Sequence, residues 1–327
     1  FRPPYSGTDK TVHFTKLDLD YASLQNLAIT PEIETSLLER YHNEYRIESI
    51  TEVNTVSDAL AATTRNFQRV WLDHIINYGN RNLHPYDNMA AYGEQIGKQV
   101  GNGALMLNLN FSDAEKEPLL IGFVQVGIDL TGVYDSGGCW PASGGHNQGR
   151  KLPVLVAGVV LNDAHMMDAG NWTGTNCKDV NGKSYPMPFQ EDCQTFNVAS
   201  EDLTVNGGVG GYVASDLGLP EYGMYHCSPD HYNVDIKDWD VDRYRSTNGI
   251  SMSGSVLAAH IMGLKTIWHH DTLFDYTDRW WDIQQGEQGG NTATSLTKAM
   301  WSAYRTGYDC VWTRDDTSDI YASGGCF

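Results

Sequence analysis

Gly144-Gly145-His146-Asn147-Gln148-Gly149-Arg150-Lys151-Leu152-Pro153 runs without a break into Val154-Leu155-Val156-Ala157-Gly158-Val159-Val160-Leu161-Asn162-Asp163. The first half is polar and glycine-rich and carries one His, one Arg and one Lys. The second is apolar nearly all round, the composition of a helix enclosed by other helices. Pro153 suits the first helical turn, where a missing N–H costs nothing, and Gly149 permits the turn into that helix. A helix N-terminus favours anions, and Arg150 and Lys151 add full positive charge at the same place. The junction reads as a polar mouth opening onto a buried helix; its plainer reading is a glycine-rich loop ahead of a core helix.

On either side of this junction the apolar spacing is helical. Thr30-Pro31-Glu32 is a helix start, with a capping Thr, Pro in the first turn and an acid behind it. Helices are expected at about 31–44, 57–78, 87–109, 114–134 and 149–164, then at about 248–264, 271–284 and 292–306. Between them, about 165–235 is rich in Gly, Asn, Asp and Pro and reads as a long irregular excursion. Residues 1–29 read as an N-terminal arm and 307–327 as a C-terminal tail. Serial helices with almost no βαβ alternation point to one all-α domain over 1–327, an (α/α) toroid or barrel of paired helices.

Charge and composition narrow the function classes. A net charge of -19 argues against nucleic acid, whose phosphates need basic surface. The apolar run Leu152–Leu161 is far shorter than the roughly 20 residues that cross a bilayer. Six cysteines without a CxxC pair suit disulfides better than a zinc ribbon, and a chain that starts at Phe1 suits a trimmed, secreted or periplasmic protein. The sequons at Asn110 and Asn171 agree with that compartment only weakly. Cys177–Cys193 and Cys310–Cys326 close the shortest loops, which leaves Cys139–Cys227.

No cofactor or metal is expected. Asp238, Asp240 and Asp242 begin like a calcium loop, but Arg243 stands where Gly is required and Gly249 where the last Glu belongs. His226, Cys227, Asp230 and His231 match no common zinc spacing.

Several blocks have a family look. Gly144-Gly145-His146 with Gly149-Arg150-Lys151, the run Gln190-Glu191-Asp192-Cys193-Gln194-Thr195-Phe196, Tyr222-Gly223 with His226, Tyr244-Arg245, Trp268 with His270, Phe274-Asp275-Tyr276 with Asp278-Arg279-Trp280, and Met300-Trp301 with Tyr304-Arg305 resemble bacterial polysaccharide lyases of the α/α-toroid type. Over roughly 139–305 the chain is similar to polysaccharide lyase family thirty-eight, the alginate and glucuronan lyases. It departs at Asn147, where a Gly is expected, at Tyr225, where a basic residue is, and at Asn197, where an aromatic is; these positions bear on substrate preference.

That resemblance implies metal-independent β-elimination on a uronic acid polymer. The reaction needs a group that neutralises the C5 carboxylate, a base for the C5 proton and an acid for the leaving O4. His146, His226 and Tyr244 are the expected proton-transfer residues, with Arg150 or Arg245 on the carboxylate. Asn147, Lys151, Trp140, Tyr225, Arg245, His270 and Tyr276 are the expected substrate contacts. Arg150, Lys151, Arg243 and Arg245 are expected to form a positive groove for an acidic polysaccharide.

Each residue has a plainer reading. His146 would cap a helix, and His226 would lie buried beside a disulfide. Arg243 would pair with Asp240 or Asp242. Tyr276, Arg279 and Trp280 would be one packed helix face. An inverting glycoside hydrolase using Asp163, Asp192 or Glu221 is the alternative enzyme, and a carbohydrate-binding protein is the non-catalytic one.

Overall fold

The computed structural model describes residues 56–68, 92–140, 147–174, 186–194, 196–204, 210–222, 237, 239, 244–288 and 291–305. These form an all-α body. Its helices are α1 (Val56–Phe67), α2 (Tyr92–Leu107), α3 (Asp113–Asp135), α4 (Lys151–Leu161), α5 (Ala164–Met167), α6 (Gln190–Cys193), α7 (Tyr244–Ile261), α8 (Lys265–Trp268), α9 (Asp271–Gln284) and α10 (Ser295–Tyr304). The regular strands among the described residues are β1 (Glu287–Gln288) and β2 (Asn291–Thr292), an antiparallel pair with Glu287 opposite Thr292.

α4 is the enclosed helix that its composition demands. Leu152, Val154, Leu155 and Ala157 are fully buried. α4 packs on α3 at a point where a side chain on Gly127 would lie 2.2 Å from the Pro153 carbonyl oxygen. The helix begins at Lys151 because Gly149 holds φ at +84° and breaks the helical path before it. It ends at Asn162, which is left-handed at φ 53°, and Asp163 then caps α5 by accepting from Met166 N at 3.0 Å.

Among the described residues the most extensive helix contact is not sequential: α2 packs along α7. Small residues make this approach feasible. A Cβ on Gly101 would stand 2.8 Å from Gly254 Cα, and one on Gly97 3.0 Å from Ser251 Cβ. Thr294 Oγ1 of the α10 cap donates to Asn102 Oδ1 at 2.7 Å, fastening α10 to α2. The apolar core runs from Phe67 on α1 to Trp301 on α10 and takes in residues of every described helix except α6.

Most expected helices occur, with shifted ends. α7 starts at Tyr244 rather than about 248, and α10 starts after Thr294, whose hydroxyl accepts from Thr297 N at 3.2 Å. Residue 292, expected in that last helix, is the end of β2. The described parts of the excursion are irregular, as expected, built of short turns such as 3-10 segments at Ser200–Leu203 and Ala214–Asp216. The expected helix at 31–44, the arm 1–29 and the tail 307–327 lie outside the described residues.

Candidate functional site

The start of α4 is occupied by the chain's own carboxylate. α6 brings Glu191 against it, so that Glu191 Oε1 accepts from Gly149 N at 2.7 Å and from Arg150 N at 3.2 Å. Next to it Gln190 Oε1 accepts from Asn147 N at 3.0 Å. The anion that a helix N-terminus favours is therefore internal. Burial pushes the Glu191 carboxyl above its ordinary range, opposed by backbone N–H donors and the charge of Arg150.

Lys151 and Asp192 form a buried ion pair, and Lys151 Nζ also donates to the Trp268 carbonyl at 2.6 Å. Burial lowers the Lys151 ammonium below its ordinary value, with Asp192 and Glu191 pulling the other way. Arg150 is fully buried, and its guanidinium donates to the Gln148 carbonyl. The Gln148 amide donates to Asn248 Oδ1 and accepts from Ser251 Oγ, which ties this turn to α7. His270, at the start of α9, places Nδ1 2.8 Å from the Glu191 carbonyl oxygen and 3.7 Å from Asp192 Oδ1.

A second buried charge cluster surrounds Glu221. Arg245 Nε donates to Glu221 Oε1 at 2.8 Å, Trp239 Nε1 to Oε2 at 2.9 Å, and Arg279 Nη1 lies 3.6 Å from Oε2. The Arg245 and Arg279 guanidinium carbons lie 4.6 and 4.7 Å from the Trp239 ring centre. Phe196 joins the two clusters, with ring centres 5.5 Å from His270, 6.2 Å from Tyr222 and 5.4 Å from Tyr276.

Comparison with family models, curated proteins and solved structures finds no match. The site therefore stands on its own geometry.

Asn147, Arg150, Lys151 and His270 come together around α6, while Arg245 and Tyr276 line the adjoining cluster. Trp140 does not reach a ligand surface: it is fully buried and stacks on Phe189 at 5.3 Å, so the expected sugar platform is a core prop. Tyr276 is likewise fully enclosed. Of the four residues expected to form a positive groove, Arg243 lies outside the described residues and the other three do not line a surface. Arg150, Lys151 and Arg245 are fully buried, and Lys151 and Arg245 are neutralised by Asp192 and Glu221, because an unpaired charge in such surroundings is strongly disfavoured.

His270 is the exception, with 18% of its side chain exposed. His146, Tyr225, His226 and Arg243 lie outside the described residues, as do Cys177, Cys227, Cys310 and Cys326. Tyr244 opens α7. Cys139 and Cys193 are disulfide-bonded.

The three carboxylates named for the hydrolase alternative each have a partner in the fold. Asp163 caps α5, Asp192 holds Lys151, and Glu221 holds Arg245. Among the described residues no group of three His, Cys, Asp or Glu is placed to hold a metal, and no helix is long and apolar enough to cross a membrane.

Sequence reasoning missed Glu191 as the partner of the α4 start. The available signal was its place in a polar, acidic block, together with the helix start's need for an anion. Gln148, Asn248 and Ser251 carried no signal beyond being polar.

Proposed function

We propose that this chain is a polysaccharide lyase of the (α/α) toroid type, secreted, that cleaves a uronic acid polymer by metal-independent β-elimination. One observation carries the reading: Gly149, Lys151, Glu191, Asp192, Trp268 and His270, which belong to three separate blocks that resemble such lyases, meet in one polar network inside an all-α body.

In this reading His146, His226 and Tyr244 serve proton transfer. The buried ion pairs Lys151–Asp192 and Arg245–Glu221 hold the described helices behind the site in fixed positions. Arg150 and Arg245, expected on the substrate carboxylate, instead orient the turn before α4 and the start of α7 through Gln148 and Glu221.

The test is ultraviolet absorbance during incubation with polymannuronate, polyguluronate and glucuronan. A lyase leaves a conjugated C4=C5 double bond at the new non-reducing end. New reducing ends without that absorbance would mean hydrolysis, and binding without either product would mean a carbohydrate-binding protein.

A further inference from the structure

We propose that His270 is a catalytic residue of this site, and that its Nε2 is the base that takes the C5 proton; this rests on the lyase reading above.

The argument begins with exposure. Of the residues expected at the site whose side chains are described, Trp140, Asn147, Arg150, Lys151, Arg245 and Tyr276 are fully buried. A group that never meets solvent in the free protein does not meet a polymer that arrives through solvent. His270 alone among them keeps an accessible part of its side chain.

The second step is the tautomer. Nδ1 faces the Glu191 carbonyl oxygen at 2.8 Å, and a carbonyl oxygen only accepts, so Nδ1 carries the hydrogen. Asp192 Oδ1, at 3.7 Å, lies on the same side of the ring. Nε2 is then the lone-pair nitrogen and the one polar atom the imidazole offers to a ligand. Its orientation is held by a backbone carbonyl, and Phe196 packs against the ring at 62°. A base needs both an accessible lone pair and a fixed direction.

The third step is charge. Asp192 is already paired with Lys151. The imidazole therefore has beside it a neutralised carboxylate, which orients it without competing for the proton that Nε2 is to receive.

The step balances. The C5–H bond breaks and Nε2–H forms. The C5 electron pair becomes the C4=C5 double bond, the C4–O4 bond breaks with its electrons on O4, and the Tyr244 hydroxyl gives O4 its proton. The product is an unsaturated uronate with a free alcohol on the departing chain.

His270→Asn is the informative variant, because its amide nitrogen keeps the donor to Glu191 while Nε2 is removed. With the most rapidly cleaved polyuronate, kcat is expected to fall by roughly 10²-fold or more, the scale of general base catalysis. KM should stay within a few-fold, and the near-ultraviolet circular dichroism should match the parent. His269→Asn is the control: His269 is exposed, bonds Asn171 Oδ1 at 2.7 Å, and should leave turnover unchanged.

Nitrogen-15 NMR of the unmodified protein gives an independent readout, in which the neutral imidazole should be the Nδ1–H tautomer. Near-parental turnover in His270→Asn, or an Nε2–H tautomer in the parent, would overturn this assignment and leave the lyase reading standing. No unsaturated product from any polyuronate would overturn both.

Discussion

Glu191 Oε1 lies 2.7 Å from the backbone nitrogen of Gly149, so the carboxyl group of one short helix closes the start of the enclosed helix α4. The Oε2 atom is buried without a hydrogen-bond partner among the described residues. Burial shifts the preference of this carboxyl group toward its neutral form, because the protein interior replaces water poorly around its charge.

The first prediction follows from that preference. The folded protein holds the Glu191 proton above the group's ordinary value of 4.5, so the associated stability is full below that pH and is lost as pH rises through the folded value. Glu191→Gln keeps an acceptor for Gly149 N and removes the titration. Its melting temperature relative to the parent should rise with pH above about 4.5. A difference that is flat with pH would show that Glu191 is ionised throughout. Glu191→Ala, which strands two buried N–H donors, should lose roughly 3 kcal/mol in denaturant unfolding.

His260 should show the opposite slope. Burial, with help from the Arg305 and Lys265 charges, lowers its pKa from 6.5 to about 3. Its neutral form contributes stability that is full above 6.5 and is lost as pH falls toward about 3. Within that window the parent should lose stability, on the order of 1–3 kcal/mol, while His260→Gln should lose less. Parallel melting curves for the two proteins across this range would remove His260 as the cause.

The contrast between fold and site shows what local sequence carries. α4 was legible because a helix apolar on every side has only one environment available, and Gly149 and Pro153 mark its start in a few residues. The buried state of Lys151 was not legible, because its partner Asp192 is 41 residues away and nothing near either residue announces the other. The same holds for Arg245 and Glu221, 24 residues apart. Basic residues beside glycines looked like a ligand-facing groove; long-range pairing turned them into interior struts. Trp140 misled similarly, since an aromatic near His and Arg in sequence does not reveal whether its face meets water or Phe189.

The α2–α7 contact makes a steric prediction. A methyl group at residue 101 would sit 2.8 Å from Gly254 Cα, a backbone atom that cannot swing aside. Gly101→Ala should therefore destabilise by roughly 1–3 kcal/mol through helix separation. Gly263→Ala meets nothing within 4 Å, yet its φ of +67° strains a side chain by about 1–2 kcal/mol. Denaturant unfolding should also separate them by repair: Gly263→Asn, which tolerates that backbone, should recover much of the loss.

Asp278 on α9 accepts two bonds from Arg305, one of them from Nε at 2.9 Å, in a buried pair at the end of α10. Burial raises the Asp278 carboxyl, and the Arg305 guanidinium opposes that. Arg305→Met should cost about 3–5 kcal/mol because it leaves a buried acid without its cation. Adding Asp278→Leu should recover most of it. Additive losses in the double variant would mean that the guanidinium packs rather than pairs.

The two tyrosines expected near the site should behave differently. Tyr276 is fully buried, with its ring among Phe196, Tyr222 and Trp239 at 5.4, 6.1 and 6.4 Å. Tyr244 opens α7 beside Arg245, whose guanidinium is fixed on Glu221. Removing the hydroxyl of an enclosed ring changes packing little and touches no substrate, so Tyr276→Phe should keep turnover within a few-fold on any polyuronate that the parent cleaves. Tyr244→Phe removes the proposed proton donor to O4 and should lower kcat by roughly 10²-fold or more, with oligosaccharide binding and melting temperature retained. The reverse pattern, parental turnover in Tyr244→Phe and loss in Tyr276→Phe, would move the proton donor from the start of α7 into the aromatic wall formed by α9.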